Sequence, residues 1–264
     1  MPAELDFHRG LAARLFDALN DDGPEVGYFR RLIERSGQPA LDAGCGPGRL
    51  LLRYLEAGLD VEGSDISPDM LELCRRHGAE RGLSPVLHLA SAAELDLPRR
   101  YRTIFMCGAF ALNGTHADDV SALDRAFRQL EPGGTLGVDC EAGWSMRRSW
   151  LRCVDPDRDQ PGDWWDSEPT PLPNGEQIAV RGRMLEADPV GQSSRKQLEY
   201  RLIRDGRTVE TEMHLLVERW YGVRELTAML EAAGFTDVIV HGDYAEQPLR
   251  AAHMMQVYVA VKPG

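Results

Sequence analysis

Residues 41–67 read LDAGCGPGRLLLRYLEAGLDVEGSDIS and contain the most informative pattern of the chain. A short apolar run ends at a glycine turn, a helical pattern follows, and a second apolar run closes the stretch. Gly44, Gly46 and Gly48 stand at alternate positions where the predicted strand becomes a helix. Glycines let backbone N–H groups approach a ligand closely, and a helix N-terminus adds positive potential. The pattern therefore predicts a ligand-binding β–α–β unit.

Two aspartates at the ends of this stretch indicate the kind of ligand. Asp42 precedes the glycine turn, where an anion repels a pyrophosphate and attracts an ammonium or sulfonium group. The glycine spacing is G-x-G-x-G, whereas a dinucleotide fingerprint has G-x-G-x-x-G. Asp65 ends the second strand, where a carboxylate can accept hydrogen bonds from a ribose diol. The alternative interpretation is that both acids only satisfy N–H groups of turns and helix caps.

Strand and helix patterns alternate up to about residue 153, which is typical of a parallel, doubly wound sheet. An apolar helical face precedes them, formed by Leu5, His8, Ala12, Leu15, Phe16 and Leu19. From about residue 178 to residue 221 the alternation has period two, and Asp205-Gly206 predicts a hairpin turn. We therefore predict a helical segment 1–36 covering the site, a core of 37–153 and 221–264, and a lid loop with an antiparallel cap at 154–220.

Composition and charge narrow the partners. The chain of 264 residues has a formal net charge of −12 and only two lysines, Lys196 and Lys262. A nucleic-acid binder needs a basic stripe, so we expect a small-molecule partner and no nucleic acid. The N-terminus does not resemble a signal peptide and no apolar run is long enough to span a membrane, so we expect a cytoplasmic protein. Five cysteines without paired spacing predict neither a disulfide framework nor a metal site.

Five ordered motifs carry a family resemblance: LDAGCGPGRLL, VEGSDISPDML, LHLASAAELDLP, TIFMCGAF and LEPGGTLGVD. Over about residues 38–141, and again in YGVRELTAMLEAAGF, the chain resembles the class I S-adenosylmethionine-dependent methyltransferases. The resemblance implies an α/β fold with a doubly wound, mostly parallel seven-stranded sheet, Rossmann-like, carrying an inserted antiparallel β cap. It also implies S-adenosyl-L-methionine as the cofactor and S-adenosyl-L-homocysteine as the product.

The resemblance also assigns the cofactor contacts. Asp42, Gly44, Gly46 and Gly48 would lie at the methionine part, and Asp65 would bind the ribose hydroxyls. The remaining predicted cofactor residues are Ile66 and Met70 on the adenine, Ser91 and Ala92 near its amino group, Cys107 and Gly108 at the amino-acid end, Phe110 near the methyl group and Tyr28 as a cover. The family often has an acid at the position of Ser91, so the adenine contact departs from its pattern.

A general base is useful when the methyl acceptor is a hydroxyl or a carbon, whereas an amine with a free lone pair needs little more than positioning. His116 follows the fourth strand of the core, and imidazole titrates near neutral pH. Its alternative role is to cap or begin the following helix. Asp139 and Glu141 end the fifth strand and could orient an acceptor, or they could be solvated strand ends.

Five tryptophans follow the cofactor half of the chain, and Trp164-Trp165 stand in a loop rich in proline, aspartate and glycine. We predict Trp144, Trp164 and Trp165 as acceptor contacts, for example in a lid over an apolar or aromatic molecule. The alternative is packing of the inserted sheet, which we favour for Trp150 and Trp220.

The predicted function is methyl transfer from S-adenosylmethionine to oxygen, nitrogen or carbon of a small molecule. The antiparallel block resembles the cap of methyltransferases that act on amino acids, sugars and natural products, which implies a specialised metabolite. Two alternatives stay open: a non-catalytic module that binds S-adenosylmethionine or S-adenosylhomocysteine, and a nicotinamide-dependent oxidoreductase. The sequence does not distinguish a monomer from a homodimer.

Overall fold

The computed structural model describes residues 5, 6, 8–143 and 163–264. Trp144, Trp150 and residues 154–162 of the predicted lid loop lie outside the described residues. Contacts group the chain into two units. The antiparallel unit comprises the described residues of 1–21 and 147–219, and the core unit comprises those of 22–146 and 220–264.

The strands, in chain order, are β1 Leu5–Asp6, β2 Ala40–Ala43, β3 Val61–Asp65, β4 Leu87–Leu89, β5 Tyr101–Met106, β6 Leu130–Glu141, β7 Trp165–Asp166, β8 Thr170–Pro171, β9 Gln177–Asp188, β10 Ser193–Arg204, β11 Arg207–Arg219, β12 Thr236–Gly242, β13 Ala245–Pro248 and β14 Met255–Val261. The helices are α1 Gly10–Ala18, α2 Pro24–Ser36, α3 Arg49–Glu56, α4 Pro68–Glu80, α5 His116–Gln129 and α6 Val223–Ala232.

The core unit contains one sheet in the order β4-β3-β2-β5-β6-β14-β12-β13. The strands from β4 to β6 run parallel to their neighbours, and β14, β12 and β13 join by antiparallel pairs. The predicted doubly wound, mostly parallel sheet is confirmed. Strand β13 extends it beyond the seven predicted strands, because Asp243 and Tyr244 both take positive φ and close a tight hairpin after β12.

Helices cover both faces of this sheet, as alternating side chains of its strands show. Along β5, Ile104 and Met106 belong to one apolar cluster with Leu123 of α5 and Leu226 of α6. Phe105, between them, belongs to the other cluster with residues of α2, α3 and α4. Strands buried on both faces read as continuous apolar runs, which is why the sequence predicted them well.

The antiparallel unit contains a sheet in the order β1-β11-β10-β9-β7, with β8 also paired to β9. Asp205 and Gly206 both have positive φ and close the β10–β11 hairpin, so that prediction is confirmed. The helix predicted from Leu5 is wrong in its first turn. Leu5–Asp6 pair with β11, and α1 begins only at Gly10. The start is held there because the Leu11 N–H donates to Glu212 Oε2 at 2.7 Å.

The predicted N-terminal segment 1–36 is divided between the two units. Helix α1 belongs to the antiparallel unit and α2 to the core unit. Phe29 and Leu32 of α2 lie so close to Gly137 of β6 that a Cβ at this glycine would stand 2.6 Å from Leu32 and 3.0 Å from Phe29. This tight approach fixes α2 on the sheet.

Helices of membrane-spanning length and apolarity do not occur in the described part of the chain.

Candidate functional site

The loops that follow β2, β3 and β5 meet at the carboxyl edge of the parallel sheet. Gly44 has a φ of +92°, and the Gly44 N–H donates to the Ser64 carbonyl oxygen of β3 at 2.7 Å. A Cβ built on Gly44 would stand 2.3 Å from the Cβ of Ala109, in the loop after β5. Glycine is therefore required here on two counts, the backbone conformation and the lack of room.

Replacing Gly44 with alanine is expected to destabilise the protein by about 2 kcal/mol more than replacing Gly58 with alanine. Both glycines have positive φ, so both variants incur backbone strain. A Cβ at Gly58 would meet nothing within 4 Å, whereas one at Gly44 would displace the loop at Ala109. Urea unfolding of the two variants measures the difference in the free energy of unfolding. Equal losses would mean that the Gly44 turn does not contact the loop at Ala109.

Asp65 fastens the glycine turn to the end of β3. Its Oδ2 accepts the Gly46 N–H at 2.9 Å and its Oδ1 accepts the Ser67 N–H at 2.8 Å. Burial raises the pKa of this carboxyl, while these backbone hydrogen bonds lower it. The contacts are those of the turn-and-cap interpretation. Each carboxylate oxygen has two acceptor positions, so Asp65 retains capacity for a ribose hydroxyl.

Asp42 is a buried acid, 2% exposed, beneath the glycine turn. Burial raises its pKa to about 8, and the Asp65 and Asp139 charges add to that effect. The Arg49 guanidinium and a hydrogen bond from the Leu51 backbone N–H oppose it. A carboxylate surrounded by further acids is better stabilised by a cationic ligand than by a phosphate.

Arg49 and Glu25 complete this cluster, and the sequence motifs predicted neither of them. Arg49 is the first residue of α3 and forms an ion pair with Glu25, near the start of α2. Glu25 is 9% exposed. Since the two residues are 24 positions apart and belong to different motifs, no local pattern joins them.

Asp139 is buried, 1% exposed, and its two oxygens are engaged. Oδ1 accepts the Gly108 N–H at 2.7 Å, and Oδ2 accepts the Tyr244 hydroxyl at 2.9 Å. Burial raises the Asp139 pKa to about 6, and burial together with the Asp139 charge raises the pKa of the Cys107 thiol, which donates to the same carboxyl. The prediction that Asp139 orients an acceptor is not supported, because the carboxylate instead positions the loop at Cys107 and Gly108.

Gly108 offers space where the amino-acid end of the cofactor was predicted. Its φ is +63°, and a Cβ built there would meet nothing within 4 Å. Phe110, two residues on, is 6% exposed and packs on Tyr221 with ring centroids 5.8 Å apart. Glu141 is exposed at the end of β6.

The residues predicted at the adenine differ in exposure. Ile66, next to Asp65, is 62% exposed, so its apolar side chain is free to cover a base. Met70 is 1% exposed and packs inside, so it presents no surface to a ligand. Ser91 Oγ accepts the Ala93 N–H at 3.2 Å as the cap of a short 3-10 turn that begins at Ala92. The Ala90 N–H donates to the Asp65 carbonyl oxygen at 3.0 Å, which places this turn beside Asp65.

Tyr28 does not fit the predicted cover. The side chain is fully buried, and its hydroxyl lies 2.7 Å from His241 Nδ1. Its ring packs edge-on against Phe29 and Tyr244. An apolar α2 face turned onto the sheet explains this position, since the ring belongs to the core of the unit.

His116 is the first residue of α5 and is exposed. Thr115 is the N-cap, in a capping box with Asp118, so His116 has no capping role. His116 Nδ1 lies 3.1 Å from the Tyr221 hydroxyl, which donates to Asp119 Oδ2 at 2.6 Å. The sequence does not indicate the link from His116 to Tyr221 and Asp119, because Tyr221 lies 105 residues from His116.

Trp164 and Trp165 lie in the antiparallel unit and contact strand β9. A Cβ at Gly182 would meet the Trp165 ring at 2.3 Å, so this ring lies directly on the strand. The Arg181 and Arg183 guanidinium groups lie 4.6 and 4.8 Å from the centre of the Trp164 ring. These contacts agree with the packing interpretation, and the acceptor role of both residues stays a prediction.

Across residues 8–143 and 163–264, no group of three or more histidines, cysteines, aspartates and glutamates is placed to hold a metal ion.

Comparison with known proteins finds a match over the part of the chain that carries these loops. Residues 40–134 match a model described as a methyltransferase domain. This match spans the glycine turn, Asp65, the Ser91 turn and the Gly108 loop. Residues 40–134 are therefore similar to a methyltransferase domain.

The curated relatives match only part of this chain. A ubiquinone biosynthesis O-methyltransferase from Xanthomonas euvesicatoria pv. vesicatoria (strain 85-10) is 29% identical over 147 residues, which are 51% of this chain and 59% of the relative. The chain thus spans about three fifths of the curated relatives it matches.

Solved methyltransferase structures share the fold over nearly the whole chain. An S-adenosylmethionine-dependent methyltransferase from Clostridium acetobutylicum ATCC 824 has a TM-score of 0.71 at 16% identity, covering 96% of this chain and 98% of its own. An amino pentose methyltransferase from Micromonospora echinaspora, involved in calicheamicin biosynthesis, has a TM-score of 0.64 at 18% identity, covering 98% and 99%. At these identities the similarity concerns the fold.

Proposed function

We propose that this chain is an enzyme that transfers a methyl group from S-adenosylmethionine to a small molecule. The proposal rests on the loops after β2, β3 and β5, which meet at the carboxyl edge of the sheet. Buried Asp42 lies under the glycine turn, and Asp65 holds the Gly46 N–H of that turn at 2.9 Å. An acidic, glycine-lined edge of this kind suits a nucleoside that carries positive charge.

The residues present fit this cofactor at both of its ends. Arg49 and Glu25 provide charges of both signs for a carboxylate and an ammonium group, and a cationic ligand would lower the raised pKa of Asp42 and favour its ionised form. Asp65 provides acceptor positions for the ribose, and the exposed side chain of Ile66 provides an apolar surface for the base. When bound, S-adenosylmethionine supplies an electrophilic methyl group on a positively charged sulfur atom.

The proposed acceptor is a small specialised metabolite with a hydroxyl or amine group. The net charge of −12 disfavours a nucleic-acid acceptor, because phosphates would be repelled. The similar proteins include enzymes named for a quinone pathway and for an amino pentose, so small-molecule acceptors are common among them. Much of the rate would come from aligning the acceptor with the methyl group and excluding water.

Transfer of a tritiated methyl group from labelled S-adenosylmethionine to metabolites of a cell extract tests the proposal. We expect label in a small-molecule fraction, and none when the Asp65→Ala variant replaces the protein. Binding of S-adenosylhomocysteine without any labelled metabolite would favour the non-catalytic module instead.

The same geometry favours methyl transfer over the alternative of a nicotinamide-dependent oxidoreductase. A pyrophosphate next to Asp42 would meet a buried acid whose neighbours Asp65 and Asp139 are also acids. Ionisation of any of these acids would repel the pyrophosphate, whereas a cationic ligand would favour their ionised forms.

A further inference from the structure

The start of α5 carries a hydrogen-bond chain that the cofactor site does not use. We propose that Asp119 and Tyr221 are positioning residues that hold His116 as a general base, and that the methyl acceptor is therefore a hydroxyl group. The inference rests on the proposed methyl transfer and deepens it, since it selects among acceptor atoms. His116, Tyr221 and Asp119 are joined by side-chain hydrogen bonds between α5 and the segment that precedes α6.

The direction of each hydrogen bond follows from the donors available. The Tyr221 hydroxyl has one proton, which it donates to Asp119 Oδ2 at 2.6 Å. Its oxygen, 3.1 Å from His116 Nδ1, can then only accept from that ring. The imidazole proton must therefore be on Nδ1, which leaves the lone pair on Nε2.

The hydrogen-bond chain is buried at Asp119 and Tyr221 and exposed at His116. Asp119 is 5% exposed and Tyr221 is 2% exposed, whereas His116 is exposed. The ring of Tyr221 is further held by Phe110, at 5.8 Å between centroids. Phe110 lies in the loop predicted to be near the methyl group. Its contact with Tyr221 therefore links that loop to His116.

The acids at the two helix starts have capping partners of their own. Asp118 accepts from the Thr115 N–H and hydroxyl, and Glu225 of α6 accepts from the Gly222 N–H, so both acids are engaged in capping.

The chemical step balances with these residues. The acceptor oxygen forms a bond to the methyl carbon, while the pair of the broken carbon–sulfur bond stays on sulfur. The hydroxyl proton passes to His116 Nε2 and gives an imidazolium. The Nδ1 proton stays between His116 and Tyr221, and solvent later removes the proton from Nε2. An amine acceptor with a free lone pair would not require this base.

The tautomer of His116 is the decisive readout, and ¹⁵N NMR of the histidine side chains with bound S-adenosylhomocysteine measures it. The His116→Gln variant assigns the resonance. We expect the Nδ1–H tautomer in the wild type and a shift toward Nε2–H in Tyr221→Phe and Asp119→Asn. Tyr101→Phe is the matched control, because its hydroxyl donates to Glu62 and has no link to His116. An Nε2–H tautomer in the wild type would overturn the proposal.

Binding and product analysis separate this inference from the proposed function. S-adenosylhomocysteine affinity should change less than twofold in Tyr221→Phe, and a wild type that does not bind it would contradict the proposed function itself. Where labelled methyl transfer yields a product, an O-methyl group and a rate loss of about 100-fold in His116→Gln support the inference. An N-methyl product, or an unchanged rate, would overturn it; without a product, the tautomer decides.

Discussion

Replacing Asp65 with alanine is expected to weaken S-adenosylhomocysteine binding by about 100-fold or more. The variant removes the carboxylate that would accept the ribose hydroxyls, and hydrogen bonds to a charged group contribute about 1.5–3 kcal/mol each. Two such bonds correspond to at least about 100-fold in affinity. It also removes the acceptor for the Gly46 N–H, so the glycine turn loses its attachment to β3. Titration calorimetry of both proteins measures the change.

Two controls separate a loss of ligand binding from a loss of the fold. Asp96→Ala removes an exposed carboxylate of the same unit and should leave affinity unchanged. Circular dichroism and thermal unfolding establish that Asp65→Ala is folded at the titration temperature. A folded Asp65→Ala protein with wild-type affinity would contradict the assignment of Asp65 to the ribose.

The free energy of unfolding of the wild type is expected to fall between pH 5 and pH 8. Replacing Asp42 with asparagine is expected to remove much of this loss. Burial raises the Asp42 pKa from 3.8 to about 8, so the folded protein holds a proton that the unfolded chain releases near pH 4. This contribution to stability is fully present below the unfolded pKa and is lost as the pH rises through the folded one. One pKa unit is worth about 1.4 kcal/mol, so the loss is roughly 3 kcal/mol.

Asparagine keeps the shape of the side chain and an oxygen for the Leu51 N–H, but it does not titrate. The free energy of unfolding should therefore fall less between pH 5 and pH 8 in Asp42→Asn than in the wild type, although Asp139 still titrates in this range. Asp96→Asn is the matched exposed control and should follow the wild type. Parallel pH dependence in Asp42→Asn and the wild type would mean that Asp42 is ionised in the folded protein at neutral pH.

The sheet could be predicted because its determinants are local. The apolar runs around Leu41 and Ile104 are short, continuous and buried on both faces, and Ser67 with Pro68 begins α4 as expected. Strand β13 could not, since its residues are exposed and carry no apolar alternation. The β-strand at Leu5–Asp6 was missed because its partner, β11, comes some 200 residues later.

A candidate site could be proposed from the sequence only where its residues are close together in the chain. The glycine turn and Asp65 lie on consecutive elements, so their spacing suggested them, and their role in cofactor binding stays a prediction. Tyr28 and Met70 fit the family pattern by position, but their packing in the core is a tertiary property. The contacts of Asp139 with Tyr244, and of His116 with Tyr221, each join residues 105 positions apart.

Titration calorimetry of the wild-type protein with S-adenosylhomocysteine, and separately with NADH, determines which of the two ligands the site binds. The acidic glycine turn with Asp42 beneath it and Asp65 at its edge predicts S-adenosylhomocysteine binding with a dissociation constant in the micromolar range, near −8 kcal/mol, and no heat with NADH. Binding of NADH, with no heat from S-adenosylhomocysteine, would contradict it.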